Sequence, residues 1–242
     1  EALGLSIDYY AMVNLDGFLL THTYEMVELP GQEEVDAFLP PYRTGNKMDL
    51  DDPKTVCYAA MDEYMEFHMK QELDMRKAPA VIAEVDRAFG DRFGRSYGGM
   101  VEPYRCEDAE VVLLTLGTVT GTARVVVDAM REEGHRVGLA KLRFMRPFPR
   151  QEILEIAGRV KAMGVIDKDI SVGYEGIVFT NVNSSVCDLA SPPPRINFIG
   201  GLGGRNISKD HVRGMFSQLL KLAGGESMER IQFINVGCEH NG

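Results

Sequence analysis

Four stretches of the sequence carry residue types whose spacing suits chemistry. Residues 115–122, TLGTVTGT, follow an apolar run and open a helical pattern. Glycine lets the backbone approach a ligand, and the free N–H groups of a helix start attract anions, so a phosphate or cofactor has a seat there. The stretch lacks the G-x-G-x-x-G spacing and no P-loop lysine follows it; a tight strand–helix turn capped by threonine accounts for the same residues. Residues 200–208, GGLGGRNIS, set Gly200, Gly201, Gly203 and Gly204 ahead of Arg205 and a helix. The guanidinium is a forked donor for a carboxylate or phosphate, and the glycines equally permit close backbone packing across a subunit boundary. Residues 142–150, LRFMRPFPR, present Arg143, Arg146 and Arg150 on a strand exit stiffened by Pro147 and Pro149. In an acidic chain such a basic cluster faces an acidic neighbour or plain solvent. Residues 21–25, THTYE, hold His22 near Glu25, a pair able to move protons. No G-x-S-x-G nucleophile completes a triad, and a structural histidine at a strand end fits as well. Arg146, Gly200, Gly201, Gly203, Gly204 and Arg205 are the interface candidates; no residue is assigned as catalytic or metal-binding, and cofactor-binding residues stay unassigned.

Composition narrows the classes. The chain has 242 residues, 45% hydrophobic and 26% charged, ordinary values for a globular protein. Lys+Arg 26 against Asp+Glu 36 gives a net charge of −10, which repels phosphate backbones and argues against nucleic acid as a partner. No apolar run approaches the roughly 18 residues of a membrane span. Cys57, Cys106, Cys187 and Cys238 are scattered, with no C-x-x-C pair, so no iron–sulfur cluster or structural zinc is expected on this chain. Scattered thiols without a signal peptide fit a reducing cytoplasm. The first residue is Glu1 and a strand-like segment arrives almost at once, as if the chain began partway through a domain.

These residues need elements to position them. Residues 11–20 read as a short buried strand broken by Asp16-Gly17, and residues 27–54, rich in Pro and Gly, as an irregular linker with one helical turn at QEEVDAFL. Apolar residues at near-helical spacing predict a helix over 55–75 and another over 79–93, with stripes expected to pack into a core. From residue 109 the pattern changes. AEVVLLTLG reads as a strand buried on both faces, followed by a helix over 119–133, a strand at HRVGLAKLRF, a helix at QEILEIAGRVKAMG, one strand or two half-strands at VIDKDISVGYEG, a helix over 175–189, a strand at INFIGGLGG, a helix capped by Ser208, and a last short strand at IQFINV. Such alternation implies an α/β fold with an open, mostly parallel sheet and right-handed crossovers. The domain boundary is expected near residues 100–108.

Taken together, NLDGFLLTHTYEMVELPGQEEVDAFLPPY, EVDRAFGDRFGRSYG, VVLLTLGTVTGTAR, KLRFMRPFP and GGLGGRNIS resemble the alpha subunit of the pyruvate:ferredoxin oxidoreductase (pyruvate synthase) family, in order, from about residue 12 to residue 210. The resemblance implies an open, mostly parallel sheet like the transketolase C-terminal domain, over 106–242. It is preceded by a two-helix linker over 27–105 and, over 1–26, the last strand of a thiamine-pyrimidine-binding domain. Family members decarboxylate a 2-oxoacid oxidatively on thiamine diphosphate, pass the acyl group to coenzyme A and send electrons through iron–sulfur clusters to ferredoxin. The resemblance places thiamine diphosphate, Mg2+ and the clusters in an assembled complex with beta, gamma and delta subunits. It carries no catalytic residue onto this sequence and implies scaffolding and subunit association. A stand-alone α/β module binding a nucleotide or another anion is the alternative.

Overall fold

The computed structural model describes residues 11–17, 19–39, 41, 50–51 and 61–237. In chain order the elements are α1 (Leu19–His22), α2 (Gln32–Phe38), α3 (Tyr64–Met75), α4 (Ala78–Phe93), β1 (Val101–Tyr104), β2 (Val111–Leu116), α5 (Val119–Glu132), β3 (Val137–Leu142), α6 (Arg150–Ala157), β4 (Ala162–Asp167), α7 (Ile177–Val186), β5 (Arg195–Ile199), α8 (Lys209–Ala223) and β6 (Ile231–Phe233). They fall into two units, one over 24–97 and one formed by 13–23 together with the chain from 98 onward.

The second unit is a six-stranded sheet in the order β1-β3-β2-β4-β5-β6. β2 to β6 are parallel, and β1 pairs antiparallel with β3. The central strands read as continuous apolar runs because both faces are covered: every residue of β4 is buried, as are Val111 to Thr115 of β2. On one face α5 and α8 bury Val126, Val127, Met215 and Phe216 against Leu113 and Phe198. On the other, α6 and α7 bury Ile153, Phe179 and Val182 against Val112 and Met163. The helix starting after Ser208 is capped as expected: the Ser208 hydroxyl accepts the His211 N–H at 3.3 Å, and His211 Nδ1 accepts the Ser208 N–H at 3.1 Å.

Several expectations are corrected. Residues 11–17 form no strand, and α1 follows them; Met12, Val13 and Leu15 are exposed, since the described chain offers this segment no sheet partner. The helix expected over 55–75 starts at residue 64: residues 61–63 are turn, residues 55–60 lie outside the described residues, and the stripe is not core, since Met65 and Met69 are exposed. QEILEIAGRVKAMG is not one helix. It stops before Gly158, and Ala162–Asp167 pair between β2 and β5, where burial on both faces outweighs a helix-compatible spacing. β1 is an element the sequence pattern does not predict: a four-residue edge strand, where Pro103 is tolerated. One crossover also departs from the rule. β4–α7–β5 and β5–α8–β6 step the same way across the sheet over opposite faces, so they have opposite hands. β6 is a three-residue edge strand, where strand twist constrains the connection least.

The first unit is helical. Phe38 of α2 lies edge-on to Phe89 and Phe93 of α4, with ring centroids 5.8 and 5.4 Å apart. Gly94 ends α4 with φ 68°, a left-handed conformation that glycine adopts without strain.

Candidate functional site

In an open parallel sheet, loops at the carboxyl ends of the strands meet where the strand order reverses. Here the chain leaves β2 for β3 on one side and returns to β4 on the other, so the switch point lies between β2 and β4. Gly117 turns β2 into α5 with φ 74°. Behind the turn, the buried hydroxyls of Thr115 and Thr120 are hydrogen-bonded at 2.9 Å.

The Thr118 N–H at the N-cap of this helix is met by a carboxylate from far away in sequence. Asp16 Oδ2 accepts the Thr118 backbone N–H at 2.5 Å, the Thr118 hydroxyl, and an ion pair from Lys168 Nζ at 3.1 Å. Lys168 follows β4 and also donates to Thr118 Oγ1 at 3.3 Å. Partial burial pushes the Asp16 carboxyl up, but the bonds from Thr118 and Lys168 prevail and hold it below the usual carboxylate range. A side chain at Gly117 would collide with it: a Cβ there would lie 2.6 Å from Asp16 Oδ2.

A second carboxylate ends β4. Asp167 is buried and accepts N–H groups from Val178 at 2.9 Å and Phe179 at 3.2 Å, capping α7, and from Asn197 Nδ2 at 2.8 Å. Asn197 Oδ1 accepts the Gly176 N–H at 2.8 Å. Burial pushes the Asp167 carboxyl up to about 6 although these donors favour the anion. Next to it Glu175, also buried, pairs with Arg230 Nη2 at 2.7 Å and accepts from Asn183 Nδ2 at 2.9 Å, while the Arg230 guanidinium lies over the Phe179 ring. Both carboxylates spend their lone pairs on the protein itself, so their work is to lock α7 to β4 and β5.

The four sequence stretches divide. TLGTVTGT ends β2 and opens α5, as its turn and helix signals imply, and the strand order puts it at the switch point. GGLGGRNIS follows β5 with Gly201, Gly203 and Gly204 all at positive φ, and Gly201 abuts the Lys168 stem. Arg205 donates to the Asn235 carbonyl at 2.8 Å. LRFMRPFPR follows β3, so β2 and β4 stand between the strands that carry these two loops. Arg146 is exposed and turns back on the Met145 carbonyl, whereas Arg150 pairs with Asp188 at 2.8 Å. His22 is exposed, its Nδ1 3.0 Å from Thr21 Oγ1, on α1 rather than at a strand end. Sequence reasoning missed Asp16, Lys168, Asp167 and Asn197. Asp16-Gly17 gave only a turn signal, and nothing local marks its partners. Around the rim the apolar side chains of Val172, Tyr174, Ile177 and Leu202 are exposed on the loops after β4 and β5 and at the start of α7.

Two family models match the chain in succession. "Pyruvate flavodoxin/ferredoxin oxidoreductase, thiamine diP-bdg" matches residues 2–87, and "Pyruvate:ferredoxin oxidoreductase core domain II" matches residues 109–212. A ketoisovalerate oxidoreductase subunit VorA of Pyrococcus abyssi is 38% identical over 93% of this chain and 58% of its own length. Pyruvate synthase subunits PorA are similar too: 40% identical over 84% of this chain and 52% of the relative in Methanothermobacter thermautotrophicus, and 42% over 82% and 50% in Pyrococcus abyssi. The chain belongs to the pyruvate:ferredoxin oxidoreductase family. It spans about half the length of the curated relatives it matches. Among solved structures, a 2-oxoglutarate:ferredoxin oxidoreductase from Magnetococcus marinus aligns with a TM-score of 0.43 and 14% identity, covering 67% of this chain and 24% of that one. A split-gene transketolase aligns at 0.40 and 16%, covering 48% and 40%. Scores this low leave the fold to the topology described above.

The thiamine-binding match invites a test against the residues present. Among the described residues no group of three or more His, Cys, Asp or Glu converges on a metal position. The helix start at the switch point, which would suit a diphosphate, is filled by Asp16. The described residues of core domain II and its upstream segment therefore do not fit a metal-held diphosphate, and no reaction step is assigned to them. No helix among the described residues is long and apolar enough to cross a membrane.

Proposed function

We propose that the chain is part of the alpha-type subunit of a 2-oxoacid:ferredoxin oxidoreductase and acts there as scaffold and subunit interface. In the assembled enzyme a 2-oxoacid and coenzyme A give acyl-CoA, carbon dioxide and a proton, and two electrons pass to ferredoxin. The observation that carries this reading is the succession of two family segments, 2–87 and 109–212, in one chain, with relatives near 40% identity. Pyruvate is the favoured substrate, since the relatives include pyruvate synthase subunits; a branched 2-oxoacid is the next choice, from the ketoisovalerate enzymes. Thiamine diphosphate, Mg2+ and iron–sulfur clusters belong to the complex, held with beta, gamma and delta subunits in the cytoplasm. The exposed apolar rim of the sheet, flanked by Arg146, the glycines 200, 201, 203 and 204, and Arg205, suits the partner-facing side. A stand-alone anion-binding module is disfavoured because Asp16 occupies the seat such a ligand would need.

The test is reconstitution. The purified chain alone is expected to give no pyruvate- and coenzyme-A-dependent reduction of a viologen dye. Activity should appear only with the partner subunits, and Arg146→Ala or Arg205→Ala should weaken sedimentation of the complex while each monomer stays folded. Loss of a desolvated interface arginine typically costs about 2–5 kcal/mol. Turnover by the chain alone would overturn the scaffold reading, and unaltered assembly of both variants would remove these two residues from the interface.

A further inference from the structure

We propose that Asp16 is an internal clamp: it docks residues 13–23 on the switch point of core domain II and closes that domain's own anion seat. Three donors from two loops converge on one oxygen, Asp16 Oδ2: the Thr118 N–H, the Thr118 hydroxyl and Lys168 Nζ. The contact joins positions 102 apart in sequence, one within the thiamine-binding segment and the others within core domain II. The hold on this segment is polar. Met12, Val13 and Leu15, on the approach to Asp16, are 84%, 83% and 67% exposed, so burial of these side chains does not fix it.

The receiving side is shaped for the carboxylate from three directions. Gly117 leaves the space that a Cβ would take, and its positive φ aims the Thr118 N–H outward. The α5 helix is 14 residues long, so its start carries the full partial positive charge of a helix terminus. Gly201, in the loop after β5, lets the Lys168 stem pass: a Cβ there would lie 3.3 Å from Lys168 Cγ. The crevice that this fold usually offers to a ligand is thus filled by the chain's own anion. The clamp stands or falls independently of the reaction the complex performs.

Hydrogen exchange and thermal melting of the 242-residue chain test it. Asp16→Ala should speed exchange roughly five- to tenfold in two places, peptides covering 13–23 and the first turn of α5, the size expected for loss of an N-cap. Asp16→Asn should do the same more weakly, and it serves if the alanine variant folds poorly. Lys168→Met should loosen 13–23 with α5 less affected, because the Thr118 bonds survive. Acetate or inorganic phosphate should then raise the melting temperature of Asp16→Ala and restore protection of α5 without restoring 13–23, while leaving the unmodified chain unmoved. Equal exchange of 13–23 in Asp16→Ala and the unmodified chain would overturn the clamp. So would equal stabilisation of both by phosphate, since the seat would then be open in each.

Discussion

The helical unit over 24–97 and the sheet unit carry apolar stripes of the same kind, yet among the described residues only the sheet unit turns them into a core. In the sheet unit α5 buries Val119, Ala123, Val126, Val127 and Met130, and α8 buries Val212, Met215, Phe216 and Leu219. In the helical unit the only buried residue of α3 is Asp74, paired with Lys77 Nζ at 2.6 Å, and α4 has none. A helix pattern states that one side is apolar; it does not state that the same chain supplies the cover. The parallel sheet supplies it because each strand offers two faces, and the crossover helices lie on both. The helical unit has instead a small aromatic cluster of Phe38, Phe89, Phe93 and Tyr97.

The largest expected effect comes from removing a ring on each side of this contrast. Phe198 is fully buried in β5 beside Gly164, where an added Cβ would lie 3.0 Å from the Phe198 ring. Phe198→Ala should cost about 3–5 kcal/mol in urea unfolding, the usual sum of transfer and cavity terms. Phe89→Ala removes a half-buried ring and should cost about 1–2 kcal/mol. Equal losses would show that the helical unit has a core of its own and would break the contrast.

Next in size is a pH effect confined to the sheet unit. Asp167 ionises at about 6 in the folded chain against 3.8 in its ordinary state, so folding favours its protonated form. Its contribution is fully present below pH 3.8 and is lost as pH rises through 6, by roughly 3 kcal/mol for a shift of this size. Asp16, Asp108, Glu110 and Glu133 run the other way: each is held below its ordinary value, so their contribution is present above that value and lost as acid protonates them. Comparison with Asp167→Asn isolates the buried group. At pH 4 the Asp167 carboxyl is protonated and, like Asn, presents a donor on one face and an acceptor on the other, so the variant should lie close to the unmodified chain in stability. Toward pH 7 the unmodified chain should lose about 3 kcal/mol relative to the variant. Parallel urea curves at pH 4, 5, 6 and 7 would show that Asp167 stays charged throughout.

The same contrast explains what the sequence made legible. β2, α5, β3 and α8 were readable because their signals are local: a β-branched apolar run, a Gly turn, a Ser cap. The mostly parallel sheet and the family resemblance follow from their succession, whereas the strand order does not. What failed depends on distant partners. Residues 11–17 have an apolar run that becomes a strand only beside another strand. Ala162, Met163 and Gly164 suit a helix as well as a strand until β2 and β5 flank them. At the site, Gly117 and Thr118 were visible as a turn and a helix start, but their occupant was not, because Asp16 lies 102 positions away and reads locally as an Asp-Gly turn.

The smallest expected effect is the sharpest test of the exposed stripe. Met65 and Met69 stand one helical turn apart on α3 and are 79% and 54% exposed. Methionine and glutamine have nearly equal helix propensity, so the double substitution Met65→Gln, Met69→Gln changes surface chemistry with little change in backbone preference. Surface changes away from buried features usually stay within about 0.5 kcal/mol, and the double variant should unfold in urea within that margin of the unmodified chain. The matched control is Val127→Gln in α5, where a fully buried side chain would be replaced by an amide without partners. That single change should cost several times more, about 2–4 kcal/mol, from lost apolar burial and an unsatisfied polar group. A loss in the double variant as large as in Val127→Gln would mean that the α3 stripe is covered within this chain in solution, and the contrast between the two units would fall.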